Sequence, residues 1–351
     1  MTERLRQTAN VAGSRIENAA PSGVKRNGAV RTFVLSTAKN GHVNQCVAVA
    51  DLMDVDIEKV FQVPGSNKTL PQWRKDLEKP RWLFAALLMV WKMKRGKILV
   101  LASGRSVLLA CHLLKLLRGN NVYIVYVGSP RTWTKKSTDV MLRANHEREM
   151  DQDEDNRYPW KPKQVWVDAP ISLPLPVSDA PQKGVVVLLG GLNATYGDEA
   201  ADYDAFLDDL EPLAETHSVS IVFSRRTKAK VKRAVEQRLG RANVTMVDAT
   251  DRQGFLTACE GAGAFVVTPD SITMVAEACA TGKPVYTANL PIKSRDTSNH
   301  RFIETNIKEG HVQQFCGTVN FERRAVCRAD VEAAQRDLVN CIEAWKRVSS
   351  A

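Results

Sequence analysis

Phe265-Val-Val-Thr-Pro-Asp-Ser-Ile-Thr-Met-Val-Ala-Glu-Ala-Cys-Ala-Thr-Gly-Lys-Pro-Val-Tyr286 is the stretch that decides the fold. Four residues from Phe265 to Thr268 read as a buried strand, and Pro269-Asp270-Ser271 as a tight turn. A helix follows, then Gly282, then a second strand. Asp270 or Ser271 can cap the helix, because a side-chain oxygen there accepts from the free N–H groups of its first turn. Pro284, just after Gly282, marks where a helix stops and a strand begins. A helix N-terminus facing out from the carboxyl end of a strand is a ready site for a diphosphate. Glu277, two turns in, can reach a ribose hydroxyl beside that phosphate. The same residues also suit an ordinary strand–helix–strand unit with no ligand.

The pattern repeats on both sides of this stretch. In the first half, short apolar strands at residues 32–36, 97–101 and 122–127 alternate with helices, the first carrying Val43, Cys46, Val47, Val49, Ala50 and Met53 at helical spacing. In the second half, strands at 185–189, 219–224 and 244–247 lead up to the opening motif. Strand, loop and helix in succession predict parallel sheets with helices on their faces. Between the halves, residues 171–184 hold three prolines and no periodicity, the best boundary in the chain. The expected fold is α/β, with two Rossmann-like domains facing a central cleft. A basic tail spans residues 1–30, the first domain 31–170, the linker 171–184, the second domain 185–320, and a C-terminal helix 321–351.

A length of 351 residues suits two domains. The net charge of +10 is uneven: residues 1–150 carry 25 Lys/Arg against 11 Asp/Glu, whereas residues 151–351 carry 24 against 28. The first half is therefore expected to meet something anionic. Seven cysteines without a C-x-x-C make neither a disulfide framework nor a zinc site. Cys46, Cys111, Cys259 and Cys279 sit in apolar surroundings and read as buried thiols of a reducing compartment. The tail at 1–30 reads as disordered, or as a mitochondrial-type presequence interrupted by Glu3 and Glu17. Cytoplasmic residence, with peripheral attachment to the inner face of a membrane, is the expected location.

Ligands of such sheets bind at the carboxyl ends of the strands. In the second half those ends carry Gly190, Gly191, Asn193, Ser224, Arg225, Arg226, Thr227, Asp270, Ser271 and Glu277. Glycines let a backbone approach a phosphate and arginines neutralise it, although Gly190-Gly191 also reads as a plain tight turn. With no G-x-G-x-x-G and no Walker A sequence, NAD and ATP are poor candidates. In the first half His42 stands at a strand-to-helix junction, as a base or as a helix-start histidine bonded to a carbonyl. His146 is a second candidate. The acidic run at 151–155 reads as a solvated loop, and no spacing indicates a metal site.

The run Trp82-Leu-Phe-Ala-Ala-Leu-Leu-Met-Val-Trp91 has no polar face and is too short to span a bilayer. Lysines and arginines flank it. It is either a core helix with snorkelling ends or a patch that holds the protein on an anionic membrane. Nucleic acid is not expected, since no binding motif accompanies the charge.

These motifs resemble the family named for a plant mitochondrial fission protein, whose bacterial members carry a glycosyltransferase assignment. The resemblance covers roughly residues 31–320. Its carriers are Gly41-His-Val-Asn-Gln45, Ala102-Ser-Gly-Arg105, Gly190-Gly191, Ser224-Arg-Arg-Thr227 and, most specifically, residues 267–285. More distantly, both halves are similar to the two-domain GT-B glycosyltransferase fold that includes the enzyme making the lipid-linked peptidoglycan disaccharide. The resemblance implies donor binding by Gly190, Gly191, Ser224, Arg225, Ser271 and Glu277, with His42 in the loop facing the acceptor. The family's Pro-Glu-His-Asp stands here as Ala144-Asn-His-Glu147, with only the histidine kept. The function expected is metal-independent transfer of a sugar from a nucleotide-diphosphate donor, UDP-linked by expectation and with no further cofactor, to a membrane-associated or lipid-linked acceptor. A non-enzymatic membrane adaptor and a nucleotide-sugar epimerase are the rival readings.

Overall fold

The computed structural model describes residues 30–37, 40–63, 96–129, 137–148, 162–191, 193–240, 243–322 and 329–348. The tail at 1–29, the Trp82 to Trp91 run and the acidic run at 151–155 lie outside the described residues. The chain divides into two compact units, with the break in the linker between Leu173 and Pro174.

The first unit holds six parallel strands, β1 (Arg31–Thr37), β2 (Ile57–Val63), β3 (Ile98–Ser103), β4 (Val122–Val127), β5 (Val140–Ala144) and β6 (Lys163–Val167), in the order β2-β1-β3-β4-β5-β6. Helix α1 (Asn40–Leu52) follows β1, and α2 (Leu108–Arg118) follows β3. Successive side chains of a strand point to opposite faces, and both faces are covered. Val34, Leu99 and Leu101 pack with Cys46, Val49 and Met53 of α1. Phe33, Leu35, Ile98 and Val100 pack with Leu108, Cys111 and Leu114 of α2. A sheet buried on both faces needs apolar residues at consecutive positions, which is why β1, β3 and β4 stand out in the sequence.

In the second unit β7 (Gly184–Leu189), β8 (Val219–Phe223), β9 (Val244–Val247), β10 (Ala262–Val267), β11 (Val285–Thr287) and β12 (Gln313–Gln314) form a parallel sheet ordered β12-β11-β10-β7-β8-β9. Its helices are α3 (Asp204–Thr216), α4 (Ala229–Leu239), α5 (Arg252–Glu260), α6 (Ile272–Ala280) and α7 (Ser298–Lys308). Phe206, Leu207 and Leu210 of α3 and Val231 and Val235 of α4 close one face over Val187, Leu189 and Ile221.

The C-terminal helix α8 (Ala329–Val348) belongs to the first unit, not to the second unit that precedes it. Ala334, Leu338, Ile342 and Trp345 join the core around Val34, Leu101, Val125 and Val165. The indole N–H of Trp345 donates to the Asn120 carbonyl at 2.7 Å, and the Asp330 carboxylate accepts from the Asp168 N–H at 3.1 Å. The six described cysteines are unbridged. Burial pushes the Cys111 thiol up to about 12 and that of Cys46 higher still.

Candidate functional site

Strand β7 lies between β10 and β8, and all three are parallel, so their carboxyl ends open on one edge. Gly190-Gly191, Ser224 to Thr227 and Thr268 to Ser271 leave the sheet there. The three loops are bonded to one another. The Thr268 hydroxyl accepts from the Gly190 N–H at 2.7 Å and donates to Asp270 Oδ1 at 2.6 Å. Asp270 Oδ2 accepts from the Gly191 N–H at 3.0 Å and from Arg226 Nη2 at 3.3 Å. Thr227 Oγ1 donates to the Gly190 carbonyl at 2.6 Å and accepts from the Ser224 N–H at 2.9 Å.

Both glycines answer to this packing. A Cβ on Gly190 would lie 2.1 Å from each Asp270 carboxylate oxygen, and one on Gly191 would lie 1.9 Å from the Arg226 carbonyl oxygen. Neither has a positive φ. Close approach of neighbouring loops, rather than a turn, is what requires glycine here, and the Gly191 N–H is already spent on Asp270.

Asp270 is 4% exposed. Burial raises its carboxyl above the ordinary range, while the Thr268 hydroxyl, the Gly191 N–H and the Arg226 guanidinium act in the opposite direction. The side chain is thus the tie of the edge. Ser271, not Asp270, caps α6, its hydroxyl accepting from the Met274 N–H at 3.4 Å. Arg226 keeps about half its side chain exposed despite the ion pair, and Arg225 stands exposed beside it. Two guanidinium groups and the capped N-terminus of α6 therefore present positive charge on one edge. Glu277 is half-buried on α6, and its charge, after burial, helps raise the neighbouring Cys259 thiol to about 12.

A further wall is absent from the expected set. Asn193 Nδ2 and Asn299 Nδ2 both donate to the Asp270 carbonyl, at 2.7 and 2.8 Å. Thr195 Oγ1 donates to Thr297 Oγ1 at 3.0 Å, and Thr297 caps α7. Nearby, the 4%-exposed Asp198 is paired with Lys228 at 2.8 Å and with Lys293, and these cations hold its carboxyl below the usual range. Of this wall the sequence indicated Asn193 alone. Asn299 and Thr297 sit in the polar run Thr297-Ser-Asn-His300, a helix-start signature that could have marked them.

In the first unit, His42 lies in the opening turns of α1, with Nδ1 2.6 Å from Thr37 Oγ1 at the end of β1. Gly104, at φ +98, follows β3, and a Cβ there would lie 2.8 Å from His42 Nδ1. Proton uptake at Nε2 requires the tautomer in which Nδ1–H donates to Thr37. His146 is buried at the end of β5. Beside it Arg143, 2% exposed, donates to Ser129 Oγ at 2.6 Å and stacks 4.6 Å from the Trp166 ring. Nothing in the sequence pattern marks a buried arginine.

Comparison with known proteins supplies the family. The chain is similar to S. aureus MnaA, seen in a co-structure with UDP, at a TM-score of 0.52 and 12% identity, covering 91% of this chain and 97% of that one. A Listeria monocytogenes protein assigned as a UDP-N-acetylglucosamine 2-epimerase gives 0.50 and 10%, over 90% and 88%. These likenesses show a shared two-domain α/β fold of the GT-B kind. Among curated proteins, the mitochondrial fission protein ELM1 of Arabidopsis thaliana is 29% identical over 231 residues, 55% of this chain. The chain spans about half of that relative's length, 52%. The model of the family described as mitochondrial fission ELM1 matches residues 40–336, including β7 to β12 and every candidate site residue, so this chain belongs to the mitochondrial fission ELM1 family.

Proposed function

We propose that this protein is a glycosyltransferase that takes a sugar from a nucleotide-diphosphate donor, UDP-linked, and passes it to a membrane-associated or lipid-linked acceptor. The observation that carries the reading is the edge formed by β10, β7 and β8: Arg225, Arg226 and the Ser271-capped N-terminus of α6 stand together beside a rigid glycine pair. The UDP held by the S. aureus protein of the same fold supports it. A diphosphate on this edge meets the α6 N-terminus and the two guanidinium groups, which stabilise it as it departs. Glu277 binds the ribose hydroxyls.

In the transfer the acceptor oxygen bonds to the anomeric carbon and gives its proton to a general base, the role proposed for His42. The bond from that carbon to the diphosphate oxygen breaks, and its electron pair leaves on the diphosphate. Asp270 does not touch the donor in this reading. It holds the loops that do.

Calorimetric titration of the full chain with UDP, GDP and CDP tests the donor site. One nucleotide should bind, and Glu277→Ala should weaken it about tenfold or more, the worth of hydrogen bonds to a charged group. If none of the three binds to the folded protein, the donor reading is lost and the non-enzymatic adaptor takes its place.

A further inference from the structure

Asp270 is an acid at the centre of an edge read as a diphosphate site. On the three loops Gly190-Gly191, Ser224 to Thr227 and Thr268 to Ser271, it is the one carboxylate and faces two cations, Arg225 and Arg226. Ionised, it cancels one of them, which leaves a single positive charge against the two negative charges of a diphosphate diester. Protonated, it leaves both. Three donors address the carboxylate of the ligand-free protein: the Gly191 N–H and Arg226 Nη2 on Oδ2, and the Thr268 hydroxyl on Oδ1. That is the setting of an ionised group, and a diphosphate arriving beside it makes a like-charge pair that favours taking up a proton.

The hydrogen bonds around Asp270 close in either protonation state. The Thr268 hydroxyl has two acceptors in reach, Asp270 Oδ1 at 2.6 Å and the Leu188 carbonyl at 3.3 Å. With a proton on Oδ1, Asp270 becomes the donor to Thr268 Oγ1, which keeps its second lone pair for the Gly190 N–H and turns its own hydroxyl to Leu188. Oδ2 keeps the Gly191 N–H. No buried polar group is orphaned by the exchange, so a carboxyl 4% exposed can change state without loosening the loops. Arg226 is the member set free. Its bond to Oδ2 is the longest of the three, at 3.3 Å, and about half of its side chain already stands in solvent.

We propose that binding of a nucleotide diphosphate on this edge is coupled to the uptake of one proton from solvent by Asp270, which releases Arg226 to the diphosphate. The inference rests on the donor reading and deepens it, because affinity is then governed by a positioning residue that does not touch the ligand. Binding of this kind weakens as pH rises from the free to the bound value of Asp270. The other titratable groups around it behave differently. The Tyr196 and Tyr203 phenols are pushed up by burial first and then by nearby carboxylates, Asp270 among them, and stay protonated. Asp198 is held by Lys228 and Lys293, Asp202 bonds the Glu199 N–H, and Glu277 lies two turns along α6. On α7, His300 stands 3.5 Å from the Tyr196 hydroxyl and 3.2 Å from Glu304, and is the rival proton acceptor.

Calorimetric titration of the full chain in Tris and in HEPES, whose ionisation heats differ, counts the protons taken up. The probe is the β-methyl ester of UDP (or of GDP or CDP, should that nucleotide be the one that binds), a diphosphate diester with no group of its own titrating near neutrality. The parent protein should take up as much as one proton per ester bound, and its affinity should fall from about pH 6 to about pH 8. Asp270→Asn imitates the protonated state, its amide donating to Thr268 and its carbonyl accepting from Gly191. It should take up none, lose the pH dependence, and bind about tenfold tighter than the parent at the alkaline end, the worth of one unit of pKa. His300→Asn should keep the uptake, and it carries the test if Asp270→Asn fails to fold by circular dichroism. Binding without uptake, uptake that persists in Asp270→Asn, or uptake lost in a folded His300→Asn would each overturn the proposal and leave the donor reading standing. No binding to the parent at any pH would remove the donor reading and this inference with it.

Discussion

A methyl group at Gly191 would sit 1.9 Å from the Arg226 carbonyl oxygen, and backbone cannot step aside as a flexible side chain can. Gly191→Ala should therefore destabilise the second unit by about 3 kcal/mol or more, at the upper end of overpacking costs. Gly310→Ala is the control: its φ is +76 but its Cβ meets nothing, so the cost should stay near 1 kcal/mol. Denaturant midpoints for the two variants separate crowding from backbone strain, and equal losses would refute the distinction.

Asp198 supplies a pH test. Lys228 and Lys293 hold its folded pKa below the unfolded value, so the pairing stabilises above the ordinary carboxylate range and is lost as pH falls through the folded value. Asp198→Asn should lower the midpoint near neutrality, and the gap from the parent protein should close in strong acid. A gap independent of pH would mean that packing, not charge, holds those loops. The sequence brought Asp270, Arg226 and the glycines to one edge through the period of the strands. It could not say that Asp270 spends its carboxylate on Gly191, 79 positions away.

The element that carries most of the donor reading is α6. Its cap is a hydrogen bond at the long end of the range, 3.4 Å from the Met274 N–H to Ser271 Oγ. Ser271→Ala should thus cost only about 0.5–1 kcal/mol of stability. If the same hydroxyl or helix end also meets a diphosphate, the variant should weaken nucleotide binding by more than this small loss of stability explains. Calorimetry beside a denaturation curve reads both quantities. This unit was legible because β10, α6 and β11 are contiguous, with Gly282 at φ +70 and Pro284 where the helix must end. Edge strands were not. β2 reads Ile-Glu-Lys-Val-Phe-Gln-Val and β6 reads Lys-Gln-Val-Trp-Val, charged because edge strands keep one side in water. The short β5 holds Arg143, which argues against burial in any one-dimensional reading.

Chain order also misleads at the scale of the molecule, where α8 follows the second unit but completes the first. Its apolar face predicts burial and cannot say against which sheet. Leu338 is fully buried among Val34, Leu101 and Val125, so Leu338→Ala should cost 2–5 kcal/mol, at about the range seen when a buried leucine is cut back. The loss should fall on one unit. All seven tryptophans lie at or before Trp166 or at Trp345, in the first unit's share of the chain, and residues 174–327 contain none. Tryptophan fluorescence therefore follows the unfolding of the first unit alone, while far-ultraviolet circular dichroism follows both. In Leu338→Ala the fluorescence transition should move to lower denaturant, and the dichroism curve should split, keeping one component at its original midpoint. If both probes shift together as one transition, the two units unfold cooperatively, and α8 stabilises the whole chain instead of the sheet it touches.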